Sequence, residues 1–341
     1  MARRITLEAL LAVMSEEMRA AFFTSIQSIV DDAVLRDVEQ AVASGDAQRL
    51  VDLLGFNPAS LRPISRAFQS LFEKSGDWTN ADYPRINGFP VFRFDMTNPR
   101  AERWIATASS GLITRTTEDV RANIRTVLDE GIRLGRNPRD TALDIIGRID
   151  PVTKRRVGGL IGLTPSQLGW SQSVRRDLEG LNPRYFDKAL RDKRFDRTVQ
   201  AALRDGKPLP KSVIDKLVYR YMDNALRFRG EQIARTESLA ALAAAEFESL
   251  QQLIEKDVIR ERDVSREWDT VGDTDVRHTH REMDGQAVGA HEPFTSPSGA
   301  KLLHPRDASL GAPASEIVAC RCRVKNKIDW TGATLRGKVD G

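Results

Sequence analysis

All four histidines (His278, His280, His291 and His304) and both cysteines (Cys320 and Cys322) of this 341-residue chain lie between positions 278 and 322. Side chains that titrate near neutrality or ligate soft metals are thus confined to one C-terminal segment, among Asp273, Asp275, Glu282 and Asp284. Two chemistries follow from these residue types. Cys320 and Cys322 stand at i and i+2, so in an extended strand both sulfurs face one side and can reach a single ion. His280, His304 or His278 can complete a tetrahedral, structural zinc set with them. The spacing departs from that of zinc fingers, and a plainer reading makes the cysteines a buried thiol and a bystander, with the histidines bonding turns. The second chemistry is a metal-dependent nuclease, whose base, metal ligand and phosphate-binding cation would converge from the same His/Asp segment. The order of residues is diagnostic of neither: there is no Walker-type loop, no GxSxG and no HExxH.

The elements that position this segment read as mostly helical. Leu10, Met14 and Met18, then Phe22, Ile26 and Val30, recur every four residues, as one helix face requires. Short helices are expected at 47–54 and 59–73, on either side of Phe56-Asn57-Pro58. The Gly-, Pro- and Asn-rich stretch 76–100 reads as a linker or small extended element. Thr117 is a plausible N-cap for a helix whose buried stripe is Val120, Ile124, Val127, Leu128 and Ile132, ending at Gly135. Asn137-Pro138 starts another helix. From Ser212, which with Asp215 resembles a capping box, one long helix runs to about residue 256 and spans on the order of 65 Å. Glu231 and Arg235, spaced i, i+4, read as a surface ion pair; the sharper reading is that Arg235 and Glu237, on different sides of the helix, fasten it to the C-terminal segment and to a partner. Beyond the helix, short segments, Gly and Pro point to a small module over 264–328. The expectation is a mainly α fold with a small C-terminal α+β module and a long helix joining the two parts. Its regions are a helical 1–75, the linker 76–100, a helical 101–263 containing the helix 212–256, the module, and a tail 329–341.

Composition sets bounds. Hydrophobic residues make up 40% and charged residues 29%, as in folded proteins. Aromatics are only 6%, so burial rests on aliphatic side chains. Lys and Arg total 52 against 48 Asp and Glu, a net charge of +4 that permits contact with nucleic acid without requiring it. Lys154, Arg155 and Arg156, Arg175 and Arg176, and the basic run 191–197 could meet DNA phosphates without base specificity. Glu8 interrupts the apolar N-terminal stretch, which reads as an amphipathic helix rather than a signal peptide. No run is long enough to cross a bilayer, and no membrane partner is expected. Two cysteines this close do not form an unstrained bridge, which suits a reducing compartment.

The motifs have an order as well as types. I-A-R-T-E (233–237) lies in the long helix, followed by W-D-T (268–270), D-x-R-x-x-H (275–280), D-G-Q (284–286), Phe294, H-P-x-D (304–307) and C-R-C (320–322). This set, over roughly residues 100–325, resembles the phage head morphogenesis proteins of the Mu F-like minor head family. The signature positions are Arg235, Thr236, Glu237, Trp268, Arg277, His280, Asp284, Gly285, His304, Pro305, Asp307, Cys320, Arg321 and Cys322. The resemblance implies a minor, non-enzymatic head component of a tailed phage or prophage. Its expected partners are the portal protein, other capsid or scaffold proteins and packaged double-stranded DNA. It implies a place in the virion, inside the head near the portal, with host cytoplasm during assembly, and a role in procapsid assembly and DNA packaging or ejection. No cofactor is required beyond the candidate structural zinc. Some relatives carry a toxin domain after the C-R-C element, and none is expected here. The nuclease reading is the competing function.

Overall fold

The computed structural model describes residues 5–56 and 58–331, so Asn57 and most of the expected tail lie outside the described residues. The fold is mainly α with small antiparallel sheets. The helices are α1 (Leu7–Asp31), α2 (Leu35–Ala43), α3 (Ala47–Leu53), α4 (Pro58–Asn80), α5 (Pro99–Arg133) and α6 (Pro138–Ile146). After them come α7 (Pro165–Glu179), α8 (Asp196–Asp205), α9 (Lys211–Glu255), α10 (His278–Met283) and α11 (Ala314–Ile317). Three two-residue hairpins pair β1 (Arg85–Ile86) with β2 (Phe89–Pro90), β3 (Arg148–Ile149) with β4 (Arg156–Val157), and β7 (Phe294–Thr295) with β8 (Lys301–Leu302). One three-stranded sheet has the order β6-β5-β9, from β5 (Val264–Asp269), β6 (Ala287–Val288) and β9 (Arg323–Ile328). No described helix is long and apolar enough to cross a membrane.

Two compact units divide the chain, and each is discontinuous in sequence. One comprises residues 19–64 and 110–231. Its core draws on Val120, Ile124, Val127 and Leu128 of α5, Ile145 and Ile146 of α6, and Val218, Met222 and Ala225 of α9, all buried. The first four are the stripe expected from periodicity, but Ile132, the fifth member, is 67% exposed. Thr117 is not a helix start. Helix α5 begins at Pro99 and runs through it, and the Thr117 hydroxyl donates to the Ile113 carbonyl one turn back (3.0 Å). Asn137 does cap α6, accepting from the Arg139 amide at 2.9 Å. The capping-box reading of Ser212 and Asp215 fails because α9 already begins at Lys211, with the Val213 and Ile214 amides donating to the Pro210 carbonyl, and Asp215 accepts from Arg175 (2.7 Å). The β3–β4 hairpin folds back against the end of α6, and a Cβ on Gly147 (φ +83°) would meet the Val157 carbonyl oxygen at 2.6 Å. Only glycine fits there.

The other unit comprises residues up to 18, 65–109 and 232 onward. Helix α4 extends to Asn80, beyond the expected end, because Leu71, Phe72 and Ser75 are buried. The 76–100 linker is then only the short stretch carrying the β1–β2 hairpin, with Phe94 tilted against Phe72 at 5.6 Å. Asp95 is fixed to α9 by Gln252, which donates to the Asp95 carbonyl and accepts from its amide, both at 2.9 Å. Arg100 at the start of α5 pairs with Glu248 (3.1 Å) and Glu255 (2.8 Å). The C-terminal half of α9 is thus enclosed, and Ala241 to Ala245, Leu250 and Leu253 are buried. Against Leu250 and Leu253 pack Ile259 and Val264, which brings β5 into place.

Candidate functional site

Strand β5 alternates in burial along its whole length: Val264, Arg266 and Trp268 face inward, Ser265, Glu267 and Asp269 outward. Pairing with β9 in the register Val264↔Ile328 to Asp269↔Arg323 sets Trp268 opposite Val324. The indole is fully buried with Met283, Phe294, Leu302, Ala312, Cys320 and Cys322. The Phe294 and His280 rings both meet it edge-on, with centroids 5.2 Å away. Every later signature motif is fastened to this strand or to its neighbours.

D-G-Q makes the return from α10. Asp284 (φ −56°, ψ 128°) and Gly285 (φ +75°) are the middle of a type II turn closed by the Gln286 amide donating to the Met283 carbonyl at 2.8 Å. The Asp284 carboxylate accepts from the Thr270 amide (2.8 Å) and hydroxyl (3.0 Å), tying this turn to W-D-T. The Gly285 amide donates to the Trp268 carbonyl at 2.9 Å. Arg277 donates to the Val318 carbonyl, and Arg321 to Asp273 at 2.6 Å, so the loop before α10 is held to the chain that leads into C-R-C.

H-P-x-D is a buried corner. Asp307 accepts from the Leu303 and Ser309 amides, both at 2.8 Å, and its own amide donates to the His304 carbonyl at 3.1 Å. The His304 Nδ1 lies 3.0 Å from the carbonyl of Pro305, itself buried, and the ring sits 5.8 Å from that of Phe247 on α9. Between them Arg306, only 4% exposed and in the left-handed region (φ +69°), donates to the carbonyls of Cys320 (2.6 Å) and Cys322 (3.1 Å). Sequence reasoning missed Arg306 because it occupies the variable position of the motif. It also missed Arg266, whose guanidinium is pulled down to about 10 by burial and donates to the Gly289, Leu303 and Glu292 carbonyls. Alternation in β5 was the available signal, since it puts position 266 on the inward face.

Cys320 and Cys322 come together without the strand expected to align them. Ala319, in the left-handed region (φ +56°), turns the chain, and C-R-C precedes β9. Their sulfurs lie 3.5 and 3.4 Å from Nδ1 of His280, and the three ligand atoms fall within 4.8 Å of one another. All three residues are at most 2% exposed. The set therefore contains His280 but neither His304, held at its own corner, nor His278, an exposed residue that faces Glu282 at 2.7 Å. His280 Nε2 lies 2.9 Å from Glu316 Oε2. Burial raises the Glu316 carboxyl, but donation by Ser298 (2.8 Å) and Thr279 (3.0 Å) together with His280 brings it below the ordinary range. The hydrogen bond between the sulfurs, with Arg306 nearby, lowers the Cys320 thiol, while the same pairing and burial push Cys322 up.

Other expected positions fall elsewhere. Arg235 is exposed on α9, and Thr236 and Glu237 are half-buried. Of the basic residues, Lys154, Arg155 and Arg176 are exposed, whereas Arg156 donates to the Gly147 carbonyl (3.2 Å) and Arg175 is paired with Asp215. In the run 191–197, Arg191 pairs with Asp196 and Arg194 with Asp192.

Fold and site together describe a helix-rich chain carrying a small β-containing module closed on a His/Cys/Cys cluster. Residues 180–325 match the family described as phage Mu protein F like protein. That stretch, which runs through the end of C-R-C and into β9, is a Mu F-like segment, and the motif resemblance holds across it. The helical part from about 100 to 179 lies outside the match. No curated protein and no solved structure matches the chain.

Burial depresses the His304 pKa, and Arg306 and Arg266 add to this against the opposing effects of Asp307 and the Pro305 carbonyl. Its folded value lies below the unfolded one, so the stability tied to neutral His304 is complete above about pH 6.5 and is lost as pH falls through the folded value. Calorimetric midpoints measured from pH 7 downward are expected to fall, with a slope of up to about 1.4 kcal/mol per pH unit from this group. His304→Gln should flatten that limb; an unchanged slope would show that His304 is not responsible.

Proposed function

We propose that the protein is a minor head component of a tailed phage or prophage that docks on the portal during procapsid assembly and aids DNA packaging or ejection. The carrying observation is the Mu F-like segment over residues 180–325, in which the signature residues Trp268, His280, His304, Asp307, Cys320 and Cys322 are buried and the Asp284 and Asp307 carboxylates hold backbone amides. A module so constructed has its outer face for contact with portal, capsid or scaffold proteins. The competing nuclease reading would need the His/Asp segment to present a base and a metal at a cleft. Asp273, Asp275, Glu282 and Asp284, the acids of that segment, are exposed, but His280 and His304 are only 1% and 6% exposed and held by their neighbours, which favours a structural role.

The portal contact is tested by assembling procapsids with and without portal protein and quantifying this chain in each by mass spectrometry. It is expected only in portal-containing particles. Equal incorporation into portal-free particles would contradict portal docking.

Non-specific contact with packaged DNA rests on exposed members of the expected basic set, among them Lys154, Arg155 and Arg176 and, in the run 191–197, Lys193, Arg194 and Arg197; the first three are the ones tested. Their triple alanine variant should bind duplex DNA more weakly, with the log–log salt slope reduced by about 2 to 3. An identical slope in a filter-binding titration would remove DNA from the list of partners.

A further inference from the structure

We propose that His280, Cys320 and Cys322 ligate one structural zinc ion, His280 through Nδ1 and both cysteines as thiolates, which locks the C-terminal module shut. The spacing is already that of a ligand set. Zinc–nitrogen and zinc–sulfur bonds of about 2.0 and 2.3 Å at a tetrahedral angle place nitrogen and sulfur about 3.6 Å apart, and Nδ1 stands 3.5 and 3.4 Å from the two sulfurs.

The ring placement supports ligation. Glu316 Oε2 stands 2.9 Å from Nε2; with the ring proton on Nε2, the Nδ1 lone pair faces the sulfurs. A carboxylate behind a ligating histidine is the arrangement that orients the ring and raises its basicity. Glu316 is itself fixed by Ser298 and Thr279. A single lone pair can accept from only one thiol, yet two sulfurs stand equally near it; an ion satisfies both.

The surroundings suit the charge. Arg306 donates to the carbonyls of both cysteines, and the indole N–H of Trp268, buried in the same cluster as both cysteines, is left without a hydrogen-bond partner among the described residues. Both cysteines bind as thiolates, with any remaining thiol proton passing to solvent, and two thiolates with a divalent ion are together neutral, as burial demands. Among the described residues the group contains three ligands. Burial of all three excludes a substrate, so the ion is structural. It would join α10 to the start of β9, and through Glu316 to α11. This reading is independent of the portal.

The protein, expressed in zinc-supplemented medium and dialysed, should hold one zinc per chain by plasma mass spectrometry. Cys322→Ser should lose it, and Glu316→Gln should weaken zinc affinity about 10- to 100-fold in competition with a chromogenic chelator. Because Cys322→Ser could unfold the module, wild-type protein loaded with cobalt supplies an independent reading: a thiolate-to-cobalt charge-transfer band is expected. Wild-type protein that retains no zinc and shows no such band, or whose two cysteines are found as a disulfide, overturns the proposal.

Discussion

The C-terminal module depends on a buried guanidinium. Arg306 is enclosed by protein, and burial lowers its pKa from the usual arginine value. A charge out of water costs several kcal/mol unless its donors are satisfied. Here the Cys320 and Cys322 carbonyls accept from two of its nitrogens while Nε keeps no partner among the described residues, with the sulfurs and Glu246 adding favourable charge. Two acceptors two residues apart fix the path of C-R-C, and that path puts both sulfurs at His280. The left-handed backbone at Arg306 aims the guanidinium, and the Asp307 carboxylate, capping the amides of Leu303 and Ser309, holds the corner. Motif residues distant in sequence are therefore one network of backbone satisfaction.

The network rests on α9. Glu246, pushed up by burial and lowered by Arg323, receives that arginine at 2.8 Å, which ties the start of β9 to the helix. Phe247 presents its ring to both His304 (5.8 Å) and the Arg266 guanidinium (4.9 Å). Gln251 donates to the Ala290 carbonyl at 3.1 Å. One face of consecutive helical turns thus receives three separate loops of the module, which explains why a long helix immediately precedes a segment with so little regular structure of its own.

Much of this was legible. Four-residue periodicity identified α1 because all six of its named apolar residues are buried. The ordered motifs pointed to the Mu F-like segment. Thr117 misled because a good capping residue also suits a helix interior when its hydroxyl bonds back one turn. Ile132 misled because periodicity marks a face without saying where its cover ends. Arg306, Arg266 and Glu316 were hidden for a different reason: charged residues are expected outside, and only tertiary placement reveals carbonyls that require a buried donor. His304 was a candidate ligand on residue type alone, while its corner belongs to another part of the network.

The central claim is that Arg306 organises the module, and Arg306→Lys probes it while keeping the charge. One ammonium cannot reproduce a planar fork spanning two carbonyls, and a lost charged hydrogen bond costs about 1.5–3 kcal/mol. Hydrogen exchange at the β5 and β9 amides measures this directly. The account predicts that protection falls at least tenfold across both strands, with amides of the unit formed by residues 19–64 and 110–231 unaffected. Wild-type protection of β5 and β9 in the variant would contradict it.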